Sequence, residues 1–212
     1  MKNLLTSLFI AILCTTVYAQ ETVEKLHICE AVYEDAKAFP DFSESYTATL
    51  ESSATISGYN TSQEAIKITG IVFKADGITP AENVVVNIEH ANSEGEYEIH
   101  TKGDNKHVTH SASVKTNSNG EYTFYSFVPG HTKEKLAYRR TKRAQHIHIT
   151  VKEPGKTPYE LPAFVFDSDW MVNKAYKKRL ERKGFDVVLT AEEIDGVQVA
   201  TKNITLKDNT AK

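Results

Sequence analysis

The sequence predicts an all-β protein, a two-sheet sandwich with short peripheral helices. Short segments rich in β-branched and aromatic residues recur from residue 66 to the end of the chain. They are separated by turns that contain Asp-Gly or Asn-Gly pairs, which tolerate the positive φ angles of tight turns. Many short strands with regular turn signals are typical of two packed β-sheets.

The N-terminal segment, residues 1–19, has the pattern of a secretory signal peptide. Lys2 precedes the almost wholly apolar run Leu4–Cys14, and the small-residue exit Val17-Tyr18-Ala19 suits cleavage before Gln20. The apolar run is too short to span a bilayer comfortably. Cys14 is a weaker alternative, as a site of lipid attachment. We therefore expect a secreted or periplasmic protein without a transmembrane segment.

Charge and cysteine content narrow the class of protein. Without residues 1–19 the chain carries 24 basic and 28 acidic residues and keeps one cysteine, Cys29. A single cysteine forms no internal disulfide, so the fold must be stabilised by a hydrophobic core. The remaining roughly 190 residues suffice for one such core. The mild acidity argues against general nucleic-acid binding.

The chain divides into an N-terminal extension, residues 20–65, and a main domain, residues 66–212. In the extension, residues 21–37 fit a short helix, and the Ser/Thr-rich run 43–62 fits either a strand or a linker. In the main domain strands are predicted at 66–73, 84–89, 121–128, 146–151, 163–166, 185–189 and 197–206. A polar helix is predicted at 173–183, ending at Gly184. This pattern indicates an immunoglobulin-like or prealbumin-like β-sandwich.

The most informative motif is the histidine pair in His146-Ile147-His148. Residues i and i+2 of a strand point to the same face, so both imidazoles project together. Two adjacent imidazoles can occupy two positions on one metal ion. Arg143, three residues earlier, adds a fixed positive charge. The competing interpretation is a half-buried strand with two hydrogen-bonded histidines and no metal.

The order of the motifs adds information that no single motif carries. Along the chain stand Ala91-Asn92-x-x-Gly95-x-Tyr97, Thr116-Asn117-x-x-Gly120-x-Tyr122-x-Phe124, Pro129-Gly130 and Arg143-x-x-His146-x-His148. Over about residues 66–169 this series resembles the intradiol ring-cleavage dioxygenases, the catechol and protocatechuate 3,4-dioxygenase family.

The resemblance implies an Fe(III) ion held by two tyrosinates and two histidines, with ligands at Tyr97, His146 and His148. It implies that Arg143 steadies an anionic substrate. It further implies a secreted enzyme that uses O2 to open a catechol-type ring between the two hydroxylated carbons, giving a muconate-type diacid. Ferric iron favours phenolate oxygen and imidazole ligands. The charge of the metal lets a phenol with a pKa of about 10 ionise at neutral pH.

The sequence departs from the family pattern at three places. The family's second tyrosine usually follows Pro-Gly closely, whereas His131-Thr132-Lys133 stands here and Tyr138 is the only tyrosine of this loop. We expect Tyr138 to be the fourth protein ligand, with His131 or water as alternatives. Ala163 stands where the family has a glutamine near the substrate, and Glu89-His90 replace a tryptophan-glutamine pair.

Other interpretations of the same residues stay open. The chain fits a secreted β-sandwich that binds carbohydrate or protein and has a degenerate metal site, or a histidine-rich site that prefers zinc. The cations between Lys133 and Arg143 form either a solvated face or an electrostatic funnel for an anionic aromatic acid. The sequence does not predict the oligomeric state.

Overall fold

A computed structural model describes residues 23–25, 41–102, 105–136 and 139–208 of the chain. The strands in these ranges are β1 (Val23–Lys25), β2 (Ser53–Thr55), β3 (Ala65–Phe73), β4 (Val85–Glu89), β5 (Glu98–Lys102), β6 (Asn105–Val108), β7 (Ser111–Lys115), β8 (Glu121–Phe127), β9 (Lys133–Leu136), β10 (Arg139–Lys142), β11 (His146–Lys152), β12 (Tyr159–Phe166), β13 (Val188–Leu189), β14 (Ala191–Ile194), β15 (Val197–Thr201) and β16 (Ile204–Thr205). The helices are α1 (Glu44–Thr47), a 3₁₀ turn at Tyr59–Thr61, and α2 (Lys174–Arg182).

Two sheets form the body of the protein. One has the strand order β13-β12-β11-β4-β7, and the other has the order β14-β15-β3-β8-β2, with β16 also paired to β3. Two smaller groups, β1-β5-β6 and the hairpin β9-β10, stand outside these sheets. The predicted all-β sandwich is therefore confirmed.

The hydrophobic core lies between the two sheets. In β3 buried and half-buried residues alternate strictly, as expected for a strand with one face toward a core. The core joins residues of both sheets: Ile66, Ile68, Phe124, Val86, Ile88, Ile147 and Ile149. Because Ile147 and Ile149 face this core, His146 and His148 project from the opposite face of their sheet.

The predicted strands of the main domain are present with shifted ends, except that the strand predicted at 197–206 is divided into β15 and β16 and only Val188–Leu189 of 185–189 is a strand. Helix α2 was also predicted, and the side chain of its N-cap residue Asn173 accepts hydrogen bonds from the backbone N–H groups of Ala175 and Tyr176. The basic segment between Gly130 and Arg143 was predicted to be a loop, but it contains the hairpin β9-β10. The prediction of a helix over 21–37 is wrong at 23–25, where β1 pairs with β5; its remaining residues lie outside the described ranges.

The pairing along one side of β3 is interrupted between β15 and β16. Both strands run parallel to β3, and the chain between them passes directly over Gly70. A Cβ atom at Gly70 would lie 2.0 Å from the carbonyl oxygen of Lys202, so no side chain fits there. The same carbonyl accepts a hydrogen bond of 2.6 Å from the hydroxyl of Tyr122. Gly70 thus permits the last strands to dock.

The side chain of His90, directly after β4, is fully buried. Its Nδ1 donates to the carbonyl of Ala91 at 2.7 Å, and its Nε2 lies 2.9 Å from the hydroxyl of Ser126. The ring stacks on His110 at a centroid distance of 5.7 Å and meets the ring of Phe127 edge-on. Burial lowers the pKa of His90 from 6.5 to about 4, because the charged imidazolium would lose its hydration. His90 is therefore neutral at pH 7.

Replacing Gly70 by alanine tests the close approach of the chain's last strands. Gly70→Ala is expected to destabilise the fold by about 1–3 kcal/mol, since backbone atoms of Lys202 must move. Gly77→Ala is the control: it has a φ of +71° and open space around it, so only backbone strain is added. Urea unfolding measures both variants. Equal stability of Gly70→Ala and the parent protein would contradict this packing.

Acid sensitivity tests the buried state of His90. His90 takes up a proton near pH 6.5 in the unfolded chain but only near pH 4 in the folded protein. The contribution of neutral His90 to the free energy of unfolding is therefore fully present above pH 6.5 and is lost as the pH falls toward 4. Between pH 7 and pH 4.5 this loss is expected to be about 2 kcal/mol. His90→Gln should flatten the pH dependence of the unfolding free energy by this amount, whereas His107→Gln, at an exposed position, should not. An unchanged slope in His90→Gln would show that His90 is not the group responsible.

Candidate metal centre

Three side chains named by the sequence meet at the start of β11. The Tyr97 hydroxyl lies 3.0 Å from Nε2 of His148 and 3.4 Å from Nε2 of His146. The two imidazole rings are 4.9 Å apart between centroids and nearly perpendicular. Tyr97 is fully buried, His146 is almost so, and His148 is half-buried. The three donor atoms therefore converge on one point beneath the protein surface.

The spacing of these donors fits a metal ion. Ligand atoms at about 2.0–2.1 Å from a metal, at angles of 90–109°, are about 2.8–3.4 Å from one another. The donor set of one phenol oxygen and two imidazole nitrogens suits Fe(III) better than a soft metal ion. Tyr97, His146 and His148 thus match three positions of a ferric centre.

A backbone contact fixes the tautomer of His146. Its Nδ1 lies 2.7 Å from the carbonyl oxygen of Ala144, which only accepts hydrogen bonds, so Nδ1 carries the proton. The lone pair of Nε2 then points toward Tyr97 and His148. Metal-binding histidines are commonly oriented by such a contact at their second nitrogen.

A β-bulge lies directly beside His148. Ile147 pairs with Phe164 and Ile149 with Leu161, so two residues of β12, Pro162 and Ala163, stand opposite His148 alone. Bulges of this kind occur next to active sites, where they redirect side chains. Ala163, the position at which the family has a glutamine, is therefore next to the metal centre and presents only a methyl group.

The loop that carries Tyr97 is built around Asn92. The side-chain oxygen of Asn92 accepts from the backbone N–H groups of Glu94 and Glu96, both at 3.0 Å. Its backbone N–H donates to the carbonyl of Glu96, and the N–H of Gly95 donates to the carbonyl of Asn92. These four bonds fix the path of the chain up to Tyr97.

Two glycines let this loop approach the Pro-Gly turn. Gly95 has a φ of +82°, and a Cβ atom there would lie 2.1 Å from the carbonyl oxygen of His131. A Cβ atom at Gly130 would lie 2.3 Å from the carbonyl oxygen of Ser93. The N–H of Gly130 also donates to the carbonyl of Asn92 at 2.9 Å. The Asn-x-x-Gly-x-Tyr and Pro-Gly motifs therefore form one unit.

The second Asn-x-x-Gly-x-Tyr motif forms the same turn elsewhere. Asn117 accepts from the N–H groups of Asn119 and Glu121, and Gly120 has a φ of +72°. Its tyrosine, Tyr122, is buried in the sandwich core, where desolvation raises the pKa of its phenol. Both copies of the motif thus form a turn that is followed by a buried tyrosine. Only the copy that ends in Tyr97 places this tyrosine next to histidines.

Glu89 is a neighbour of the centre that no sequence motif marks as a site residue. It is the cross-strand partner of His148 and is only 7% exposed, so a buried carboxylate lies on the same face of the sheet. Among the described residues, no three or more His, Cys, Asp or Glu side chains form a group that could hold a metal ion. In this part of the chain, neither Glu89 nor His131 therefore joins His146 and His148 as a ligand cluster.

His131 is engaged by a buried carboxylate. Its Nε2 lies 3.1 Å from Oδ1 of Asp169, whose side chain is 0% exposed. Oδ2 of Asp169 accepts from the backbone N–H of Gln145 at 2.7 Å. Asp169 therefore ties the Pro-Gly turn to the residue that precedes His146, a role that the sequence did not indicate.

Two further residues, Arg143 and Tyr138, are predicted to belong to the site. Arg143 is exposed and its backbone N–H donates to the carbonyl of Thr132, so it lies at the rim of the site. Tyr138, the predicted fourth ligand, lies outside the described residues.

The signal peptide predicted at residues 1–19 also lies outside the described residues. None of the helices in the described part is long and apolar enough to cross a membrane.

Comparison with solved structures shows the same fold. The chain matches catechol 1,2-dioxygenase from Acinetobacter sp. ADP1 with a TM-score of 0.56 and 21% identity, over 73% of this chain and 56% of that one. It matches catechol 1,2-dioxygenase from Pseudomonas arvilla C-1 with a TM-score of 0.55 and 20% identity, over 76% and 58%. The chain thus spans somewhat more than half the length of these two enzymes.

A third structure is similar over most of its length. The dioxygenase domain of a dioxygenase carbohydrate-binding protein fusion from Streptomyces sp. SirexAA-E matches with a TM-score of 0.50 and 17% identity, over 80% of this chain and 94% of that domain. A search among curated proteins finds no match.

The sequence itself identifies the family. A protein-family model described as a dioxygenase, of the intradiol type, matches residues 38–180, which is more than half of the chain. The motifs on which the resemblance was based lie within these residues. The chain therefore belongs to the intradiol ring-cleavage dioxygenase family.

Proposed function

We propose that the protein is a non-haem Fe(III) dioxygenase that opens catechol-type rings with O2. The observation that carries this proposal is the convergence of the Tyr97 hydroxyl on Nε2 of both His146 and His148, within 3.4 Å. Such a meeting of a fully buried phenol with two imidazoles is what a ferric site requires, and family membership supplies the reaction class. The ring bond between the two hydroxylated carbons breaks, and both atoms of O2 enter the diacid product.

The protein's own residues have distinct tasks in this proposal. Fe(III), when bound, would draw electron density from a chelated catecholate and so make the ring reactive toward O2. Ala144 holds the His146 ring so that its Nε2 lone pair faces the centre. Burial of Tyr97 keeps bulk water away from the ligand oxygen.

Arg143 and Tyr138 complete the proposed machinery. We assign to Arg143 the stabilisation of negative charge that develops on the substrate, because it stands three residues before His146 and is exposed at the rim. We assign the fourth protein ligand to Tyr138. The engagement of His131 Nε2 by Asp169 supports this choice over His131.

The proposed location follows from the signal-peptide pattern at residues 1–19. We propose that the mature protein is secreted or periplasmic and begins at Gln20. Its substrates would then be catechols met outside the cytoplasm. N-terminal sequencing of the protein exported by its natural host tests this point, and an intact Met1 would contradict it.

A second candidate function is a secreted β-sandwich that binds a ligand without catalysis. Two observations favour it: the described residues offer two histidines and one tyrosine at the centre, and Ala163 presents a methyl group where the family has an amide. Metal analysis separates the two proposals. About one iron per chain supports the enzyme, no bound metal supports the binding module, and zinc would indicate a different metal centre.

Tyr97→Phe tests the ferric centre directly. The iron-loaded parent protein should be reddish from tyrosinate-to-iron charge transfer, and this variant should lose or strongly shift the band. Its kcat on catechol should fall at least about 100-fold, or about 2.7 kcal/mol in barrier height. Visible absorption spectroscopy and oxygen uptake measure the two effects.

Tyr122→Phe is the matched control for this substitution. Tyr122 occupies the same motif, but its hydroxyl donates to the carbonyl of Lys202 rather than meeting the histidines. This variant should keep the colour and the activity while losing about 1 kcal/mol of stability. A parent protein that stays colourless after loading with ferric iron would overturn the proposal.

Tyr138→Phe tests the fourth ligand against its alternative. The variant is expected to shift the charge-transfer band and weaken iron binding, since one of two tyrosinates is removed. His131→Gln should leave the band in place, because His131 is bonded to Asp169. If His131→Gln bleaches the band and Tyr138→Phe does not, the assignment is reversed. If neither substitution changes it, solvent fills the position.

A further inference from the structure

Trp170 is an unusual exposed side chain near the metal centre. It is the single tryptophan of the chain, and 72% of it is exposed to solvent. A tryptophan buries about 150–250 Å² when it is covered, so this position leaves a large apolar surface uncovered. Tryptophan is among the residue types that contribute most binding energy when a ligand or partner covers them.

A well-bonded turn holds Trp170 in place. The backbone N–H of Asp169 donates to the carbonyl of Phe166, and that of Val172 donates to the carbonyl of Asp169. Oδ1 of Asp169 also accepts from the N–H of Met171 at 2.8 Å. The indole is therefore presented by a fixed backbone, which lowers the entropic cost of binding a ligand.

The same turn is bonded to the metal centre. Oδ2 of Asp169 accepts from the N–H of Gln145, the residue before His146, at 2.7 Å. Along this path the Cα atoms of Trp170 and His146 are at most about 15 Å apart, from standard backbone and side-chain lengths. A two-ring molecule of about 10 Å that is bound at the centre is therefore long enough to span most of this separation.

The surroundings of Trp170 favour a flat apolar ligand. The ring of His131 lies 6.2 Å from the indole between centroids, at 44°, which adds a second aromatic surface. Two polar groups next to Trp170 are engaged with each other: Asp169 accepts from three donors, and Nε2 of His131 is one of them. A sugar would need polar partners for its hydroxyls, whereas an aromatic ring needs only the exposed face of the indole.

We propose that Trp170, with His131 beside it, is a stacking subsite for a second aromatic ring, so that the preferred substrates are catechols carrying an aryl substituent. This proposal rests on the proposed dioxygenase function. Catechol itself occupies only the metal centre, and the aryl group of a larger substrate would lie on the indole at the rim. Trp170 would thus determine specificity without touching the reacting carbons.

The kinetic test compares catechol with 4-phenylcatechol as substrates of the iron-loaded protein. Trp170→Ala should raise KM for 4-phenylcatechol about tenfold and leave KM and kcat for catechol unchanged. Trp170→Phe, which keeps a stacking surface, should restore most of the lost affinity. Ile78→Ala, at a side chain that is 79% exposed in a turn between β3 and β4, is the control and should change neither substrate. Equal effects of Trp170→Ala on both substrates, or no effect on either, would overturn the subsite.

A fluorescence test keeps the subsite separate from the chemistry. Because the chain has one tryptophan, its emission reports on this position alone. In iron-free protein, 4-phenylcatechol should quench the emission with saturation at lower concentration than catechol does. Saturable quenching without ring cleavage would support the subsite and contradict the proposed reaction. Ring cleavage of 4-phenylcatechol without quenching would support the reaction and contradict the subsite.

Two other occupants of the same surface would overturn the proposal. Saturable quenching by cellobiose but not by 4-phenylcatechol would assign the surface to a sugar. A shift from dimer to monomer in Trp170→Ala, measured by light scattering and with KM values unchanged, would assign it to a second copy of the chain.

Discussion

The metal centre depends on the contact between two stretches of backbone. The loop at Gly95 lies against the carbonyl of His131, and Gly130 lies against the carbonyl of Ser93, at distances that leave no room for a Cβ atom. This backbone contact fixes the position of the loop that carries Tyr97. Because Tyr97 follows Gly95 by two residues, any side chain at either glycine would displace the phenol from His146 and His148.

The sheet supplies the other half of the centre. Because Ile147 and Ile149 pack in the core, the alternating residues His146 and His148 lie on the outer face, where Tyr97 meets them. Glu89 on β4 and the bulge at Pro162-Ala163 lie on either side of His148. The site is therefore fixed by the hydrophobic pattern of β11 on one side and by glycine turns on the other.

The sequence predicted the parts of this arrangement that depend on local pattern. Runs of β-branched and aromatic residues between turns located β3, β8 and β11, and the motif order located Tyr97, His146 and His148. It did not predict the β9-β10 hairpin, because residues between Gly130 and Arg143 are basic and lack an apolar period. It also missed the role of Asp169, since a carboxylate that bonds residues distant in sequence leaves no local signal.

Residues that differ from the family pattern lie close to His148 in the structure. Ala163 and Glu89 both adjoin His148, and Trp170 stands on the turn that is bonded to the chain just before His146. A methyl group and a buried carboxylate thus adjoin a histidine of the candidate centre, and an exposed indole stands on a turn that is bonded to the same strand. Under the proposed function, these residues would change the substrate that reaches the iron.

X-ray absorption at the iron edge of the iron-loaded protein tests whether Tyr97, His146 and His148 bind the metal. We expect a ferric ion with oxygen and nitrogen neighbours at about 2.0 Å and the outer-shell scattering of two imidazole rings. The imidazole scattering should diminish in His146→Ala. An iron ion surrounded by oxygen alone, with no imidazole scattering, would contradict the assignment of Tyr97, His146 and His148 as its ligands.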